Sequence, residues 1–248
     1  MKETRLCMGM PIEIEIVHAE AKNTLEAAFA YLAAVDEQFS TYKEDSEISR
    51  INREGAAPGA ASEAMREIFD LAEKTKRETD GYFDIRRPDG LIDPSGIVKG
   101  WAIRNAAALI RRAGYENYFV NAGGDIAMSG SDAEGNEWRF GIRNPFNTDE
   151  IVKVVYPHGS GIATSGSYIR GAHIYNPLAP GEELRDVVSI TVIGPDVLEA
   201  DRFATAAFAM GKTGINFIER LPGFEGYAID RDGIATMTSG FGSYTQPA

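Results

Sequence analysis

The stretch that opens at Ile92 and closes at Asp125 constrains this chain more than any other. A loop of small residues ends in Lys99-Gly100 and feeds an amphipathic helix over Lys99–Ala113. A strand follows at Tyr118–Val120, and then a second glycine turn, Asn121-Ala122-Gly123-Gly124-Asp125. Glycines carry no Cβ and let a backbone come close to a ligand. A lysine at a helix mouth, beside free N–H groups, suits an anionic group such as a phosphate. Taken alone, turns of this kind more often just join strands to helices. A third segment, Ala200-Asp-Arg-Phe-Ala-Thr205, gives the functional reading its weight.

Composition narrows the classes. The chain has 248 residues, 44% hydrophobic and 25% charged, and these values are those of an ordinary globular protein with ample length for a core. A net charge of −12 argues against a general nucleic-acid or anionic-membrane binder, which needs a basic face. An acidic protein that binds a polyphosphate usually needs a metal to do so. Cys7 is the single cysteine, so no intrachain disulfide forms. The N-terminal residues lack the apolar core of a secretion signal, and no apolar run is long enough to cross a bilayer. The expected setting is the cytoplasm.

Helix and strand patterns alternate. Pro11–His18 places Ile at every second position with Glu between, which is strand periodicity. Glu20–Phe39 reads as a helix with Leu25, Ala28, Phe29, Leu32 and Val35 on one face. Ser40–Asn52 reads as polar and turn-rich. Ser62 starts a helix that runs to about Thr79, and Asp80-Gly81 is a turn. Gly114 closes the Lys99–Ala113 helix. Strands are expected at Glu137–Ile142, Ile151–Tyr156, Gly161–Thr164 and Val187–Ile193, and helices at Val197–Met210 and Gly214–Arg220. Tyr227–Asp230 and Ile234–Met237 form a hairpin. No repeat or linker interrupts the pattern, so residues 1–248 read as one α+β (α/β-rich) unit, with two lobes sharing a cleft.

The candidate chemistry lies on a helix. Asp201 and Thr205 are four residues apart and point the same way, with Ala204 adjacent. A carboxylate and a hydroxyl are hard oxygen donors that suit Mg²⁺ rather than Zn²⁺. A solvated helix face explains most pairs of this type, but the small neighbours Ala204, Ala206 and Ala207 leave room for close approach. Of the three histidines, His18 and His158 read as surface residues. His173 lies in Gly-Ala-His-Ile-Tyr-Asn-Pro, and a histidine near neutral pKa is the usual proton shuttle. On the residues alone, a structural role for it is favoured.

A series of segments in this order resembles the ApbE family of flavin transferases. They are Met8-Gly9, FSTYKEDSEISRIN at Phe39–Asn52, TDGYFDI at Thr79–Ile85, DPSGIVKG at Asp93–Gly100, NAGGDI at Asn121–Ile126, ATSGSY at Ala163–Tyr168, HIYNP at His173–Pro177 and ADRFATA at Ala200–Ala206. The resemblance runs from near residue 8 to about 211. It implies an ApbE-type, T-fold-like architecture with two lobes around one FAD cleft. It also implies Mg²⁺-dependent transfer of FMN from FAD to a Ser or Thr hydroxyl of a target flavoprotein, with release of AMP. By the same resemblance, Gly96, Ala204, Asp201 and Thr205 would hold Mg²⁺. Asp93, Lys99, Tyr82, Phe83, Asp84 and Tyr175 would contact FAD, and Met8 and Tyr42 would flank its rings. His173 would be the base that activates the acceptor hydroxyl. Asp125 is given no catalytic part and reads as a turn former or a support for a neighbour.

Two features depart from the family pattern. The segment Arg86–Ile92 is short where relatives carry a longer insert, and Asn176 stands where an aspartate is usual. Two other readings use the same FAD residues. One is a Mg²⁺-dependent FAD pyrophosphatase that gives FMN and AMP. The other is a non-catalytic module that binds or stores FAD.

Overall fold

The computed structural model of the chain describes residues 1–55, 61–167 and 174–247. The strands are Lys2–Cys7 (β1), Met10–Ile16 (β2), Tyr118–Ala122 (β3), Asp125–Ser129 (β4), Phe140–Asn144 (β5), Asn147–Val155 (β6), Gly161–Gly166 (β7), Val187–Gly194 (β8), Glu225–Asp230 (β9) and Ala235–Met237 (β10). The helices are Lys22–Phe39 (α1), Glu47–Glu54 (α2), Glu63–Glu78 (α3), Ser95–Arg112 (α4), Val197–Ala209 (α5) and Gly214–Glu219 (α6). Eight strands form one sheet in the order β1-β2-β3-β4-β7-β8-β9-β10, with every neighbouring pair antiparallel. The hairpin of β5 and β6 stands apart from it.

Period-two alternation explains how both faces of this sheet are covered. On β3, Tyr118, Val120 and Ala122 join the core beneath α1 and α4. Phe119, between them, joins a different core with Trp138, Ile142 and Val155 from the hairpin side. Farther across the sheet, Ala163, Ile190 and Val192 pack under α5, while Ile162 and Ile193 turn toward the hairpin and Phe241. Helices therefore cover one face, and the β5–β6 hairpin and the C-terminal 3-10 turn cover the other. On the helix face there are two apolar cores, one under α1–α4 and one under α5.

Most expected elements are present within a few residues, and the differences have physical causes. β1 has no apolar alternation because it is an edge strand, and each side chain is exposed or half-buried. Ser40–Asn52 is not all turn. Ser46 accepts a hydrogen bond from Ser49 N at 3.1 Å and caps α2, and the capped helix buries Ile48. α4 begins at Ser95 rather than at Lys99, so the lysine sits one turn inside the helix, not at its mouth.

That shift sets the closest approach of two helices. A Cβ on Gly100 would lie 2.8 Å from Asp201 Cβ and 3.0 Å from Leu198 Cα, so α4 and α5 touch where α4 has no side chain. Gly100→Ala would gain about 1 kcal/mol of helix propensity. We expect overpacking to outweigh this and to lower the unfolding free energy by a net ~1–3 kcal/mol, read as the urea midpoint. An unchanged or higher midpoint would show that the two helices can part without cost.

Candidate active site

The antiparallel ladder weakens at one place. β4 and β7 share a single paired position, Ile126 with Ile162. Beyond it, the Asp125 carboxylate accepts from Thr164 N at 2.9 Å, a side chain where a neighbouring strand would offer a carbonyl. The tight turn at Gly123-Gly124 has positive φ at both residues, and Asn121 Oδ1 accepts from Gly124 N at 3.0 Å. A cavity of about 570 Å³ lies at this opening. It reaches from Lys99, Asp201 and Thr205 on the helix side to Phe140 and Ile142 of the hairpin. Small-molecule sites span roughly 300–1,000 Å³.

Charge is concentrated where α4, α5 and β4 meet. Asp125 is fully buried and Asp201 is 2% exposed. Lys99 Nζ forms an ion pair with Asp125 Oδ2 and stands 3.7 Å from Asp201 Oδ1. Gly100 N donates to Asp201 Oδ2 at 2.8 Å. In a regular helix that N–H serves the carbonyl of Gly96, so here the carbonyl shares its donor with Asp201. Thr205, one turn along α5, lies 3.5 Å from Ser165 Oγ through its hydroxyl. A Cβ on Gly96 would meet Thr205 Cγ2 at 3.4 Å and Phe83 at 3.3 Å, so the first turn of α4 is seated against both.

Burial raises the pKa of Asp201 above the ordinary aspartate range; Lys99 opposes the rise and the Asp125 charge adds to it. With both acids ionised, the triad carries one more negative than positive charge in a poorly solvated place. A hard divalent cation reverses that sign, and the site then attracts a polyphosphate. Among the described residues, no group of three or more His, Cys, Asp or Glu side chains is placed to hold a metal. Mg²⁺ does not require one, because it binds through one or two carboxylates and completes its shell with water and phosphate. Asp201, Thr205, Ser165 and the Gly96 carbonyl are oxygen donors of that kind.

The opposite wall comes from the Thr79–Ile85 turn. Thr79 Oγ1 accepts from Phe83 N at 3.2 Å, which places the buried Phe83 ring under α4. Asp84 pairs with Lys76 at 2.6 Å and accepts from Arg86 N at 2.8 Å, so its carboxylate holds the turn together. Tyr175 donates to the Asp84 carbonyl at 3.0 Å. Burial, with Asp84 and Asp93 nearby, pushes its phenol up to about 12 and keeps it a donor. Asp93 accepts from Ser95 N at 3.1 Å at the start of α4.

Of the residues expected at the site, Tyr82, Phe83, Asp84, Asp93, Gly96, Lys99, Tyr175, Asp201 and Thr205 line this one cavity. Three do not. Met8 is spent on the β1–β2 turn, where its φ is +53° and its side chain packs on the helix-side core. Tyr42 is 96% exposed. The Ala204 side chain is fully buried in the core under α5, which leaves its backbone oxygen as the atom the resemblance implies. His173 lies outside the described residues. His158 is exposed, as expected, and is paired with Glu137, its other ring nitrogen 3.2 Å from Ser243 O. Sequence reasoning gave Asp125 at most a supporting part and assigned none to Ser165 or Arg143. Arg143 lines the cavity and has no acidic partner among the described residues. The NAGGDI segment gave the signal for Asp125 and ATSGSY that for Ser165; Arg143 is an ordinary strand residue in the sequence.

A sheet opened beside a half-buried lysine and two buried carboxylates defines a small-molecule site suited to a hard cation and phosphates. The chain belongs to the ApbE family, whose model matches residues 8–88 and 85–228. The FAD:protein FMN transferase of Salmonella typhimurium is 27% identical over 304 residues, covering 97% of this chain and 85% of the relative. That of Escherichia coli K12 is 27% identical over 281 residues, covering 89% and 79%. The flavin transferase ApbE from Vibrio cholerae superposes with a TM-score of 0.87 at 25% identity over 98% of each chain. An ApbE protein from Thermotoga maritima shares the fold, with a TM-score of 0.86 at 21% identity over 99% of each chain.

The raised pKa of Asp201 has a direct consequence for stability. The folded chain keeps a proton there that the unfolded chain loses at lower pH. Cation-free stability therefore declines as pH rises from the ordinary aspartate range toward the folded pKa. Asp201→Asn keeps an oxygen for Gly100 N and removes the charge. We expect the variant to melt higher than wild type near neutral pH, with the gap closing as pH falls, and to lose any Mg²⁺-induced rise in Tm. Parallel Tm–pH curves for the two proteins would contradict the assignment.

Proposed function

We propose that this chain is an FAD:protein FMN transferase that uses Mg²⁺ to move FMN from FAD to a Ser or Thr hydroxyl of an acceptor flavoprotein, releasing AMP. The observation that carries this reading is the buried Lys99–Asp125–Asp201 cluster beside Thr205 and Gly96 in a cavity of ligand size. Family membership and relatives named for this activity support it.

In this reading Asp201, Thr205 and the Gly96 carbonyl would hold Mg²⁺, which would offset negative charge on the pyrophosphate. Lys99 contributes its ammonium to the same phosphates. Tyr82 and Phe83 form an aromatic wall suited to a flat ring system. Asp93 and Tyr175 fix polar contacts, and Asp84 acts through the turn it holds. The acceptor oxygen forms a bond to the FMN phosphorus as the bond from that phosphorus to the AMP oxygen breaks. The hydroxyl proton passes to a base, which the family resemblance assigns to His173. Catalysis then rests on positioning and charge neutralisation.

Purified protein, FAD and Mg²⁺ with and without an acceptor subunit test this, following AMP and protein-bound flavin together. Covalent flavin on the acceptor with one AMP released per transfer is expected. AMP with free FMN, indifferent to acceptor, would make the chain a pyrophosphatase. Bound FAD without AMP would leave a storage module. Asp201→Ala is expected to slow the Mg²⁺-dependent reaction by about a hundredfold or more, the loss of several kcal/mol of charge stabilisation.

A further inference from the structure

We propose that Asp125 is a positioning residue: its buried carboxylate draws Lys99 away from Asp201 and so keeps Asp201 open to a cation. The inference rests on the cation site proposed above and goes beyond it, because Asp125 is there given no ligand or substrate.

Three observations carry it. First, Asp125 is fully buried, and its two oxygens are used differently. Oδ1 accepts from Thr164 N at 2.9 Å, and Oδ2 pairs with Lys99 Nζ. A buried carboxylate held at both oxygens has little freedom to turn. Secondly, the lysine is shared unequally. Its nitrogen lies against Asp125 and stands 3.7 Å from Asp201 Oδ1, beyond hydrogen-bond distance. Lys99 is an ammonium on a flexible stem, one turn into α4, and it faces both acids. If Asp125 did not hold it, Asp201 would be the other carboxylate it meets among the described residues. Lys99 would then occupy the position a divalent cation needs. Thirdly, Asp125 sits where β4 and β7 part, after their single paired position. Its bond to Thr164 fixes the lysine relative to β7, the strand that also carries Ser165 toward Thr205.

The competing explanations are that Asp125 only braces the sheet or attracts the cation directly. Both predict that its loss weakens cation binding whether or not Lys99 is present. Positioning predicts that the loss acts through the lysine. Asp125→Asn suits the test because the amide oxygen can still accept from Thr164 N while the charge is gone.

The experiment is Mn²⁺ binding to the FAD-free full chain, followed by electron paramagnetic resonance, for wild type, D125N, K99M and the double variant. D125N is expected to bind Mn²⁺ about tenfold more weakly, within the range of coupling between charged neighbours. K99M is expected to bind at least as well as wild type. In the K99M background, D125N is expected to lose most of its effect. A crystal structure of D125N should show Lys99 Nζ within hydrogen-bond distance of Asp201. Equal weakening by D125N in both backgrounds would overturn the proposal and leave Asp125 a brace or a direct attractor. Unchanged affinity in D125N would overturn it as well. Failure of the wild-type chain to bind Mn²⁺ would remove the cation site itself and the proposal with it. Because no FAD or acceptor is present, a failed transferase assay leaves this result unaffected.

Discussion

Two buried carboxylates around one ammonium place an unbalanced charge at the point where α4, α5 and β4 meet. Burying charge is costly unless it is paired and hydrogen-bonded. Here Thr164 N of β7 and Gly100 N and Lys99 of α4 supply the partners. The rest of the structure follows from that arrangement. α4 must lack a side chain at residue 100 so that Asp201 can approach. β4 must stop pairing with β7 so that Asp125 can reach Thr164. A site built at such expense for the apo chain is typical of functional centres, where stability is given up for binding.

The opened sheet also explains why the cavity joins the two faces. In an unbroken antiparallel ladder the helix-side acids and the hairpin-side aromatics would be separated by a continuous sheet. Here a single paired position, Ile126 with Ile162, holds β4 to β7, and the ligand-sized space begins where pairing ends. The β5–β6 hairpin closes the far side with Phe140, Ile142 and Arg143. The same hairpin exposes Phe146, Ile151, Val152 and Val154.

The short Arg86–Ile92 segment and Asn176 each have a local structural role. The short Arg86–Ile92 segment closes on itself through Arg87 N to Leu91 O at 2.8 Å and a bridge between Arg86 and Ile92. Asn52 then clamps its end, accepting from Ile92 N at 2.8 Å and donating to Ile92 O at 2.9 Å. Asn176 accepts from Leu178 N at 2.9 Å, so its side-chain oxygen serves the following turn. Arg202, inside the ADRFATA segment, serves the scaffold. It bonds Glu78 and Glu199 and lies 3.3 Å from Thr75 Oγ1, tying α5 to α3.

The sequence by itself determined what depends on near neighbours. Alternating isoleucines made β2, Ser62 capped α3, Gly114 ended α4, and the four-residue spacing put Asp201 and Thr205 on one side of α5. The ordered segments then fixed the family and most of the cavity lining. Only the tertiary structure decided what depends on residues far apart. Met8, Tyr42 and the Ala204 side chain fall outside the cavity lining, because turn geometry, exposure and the α5 core claim them. Asp125 looked like a turn residue and proved to be a buried partner of Lys99, 26 positions away in sequence. Local patterns record helices and strands because those are held by short-range hydrogen bonds and periodic burial. They do not record which of two acids a lysine meets, because that choice is made only when α4, α5 and the parted strands pack together.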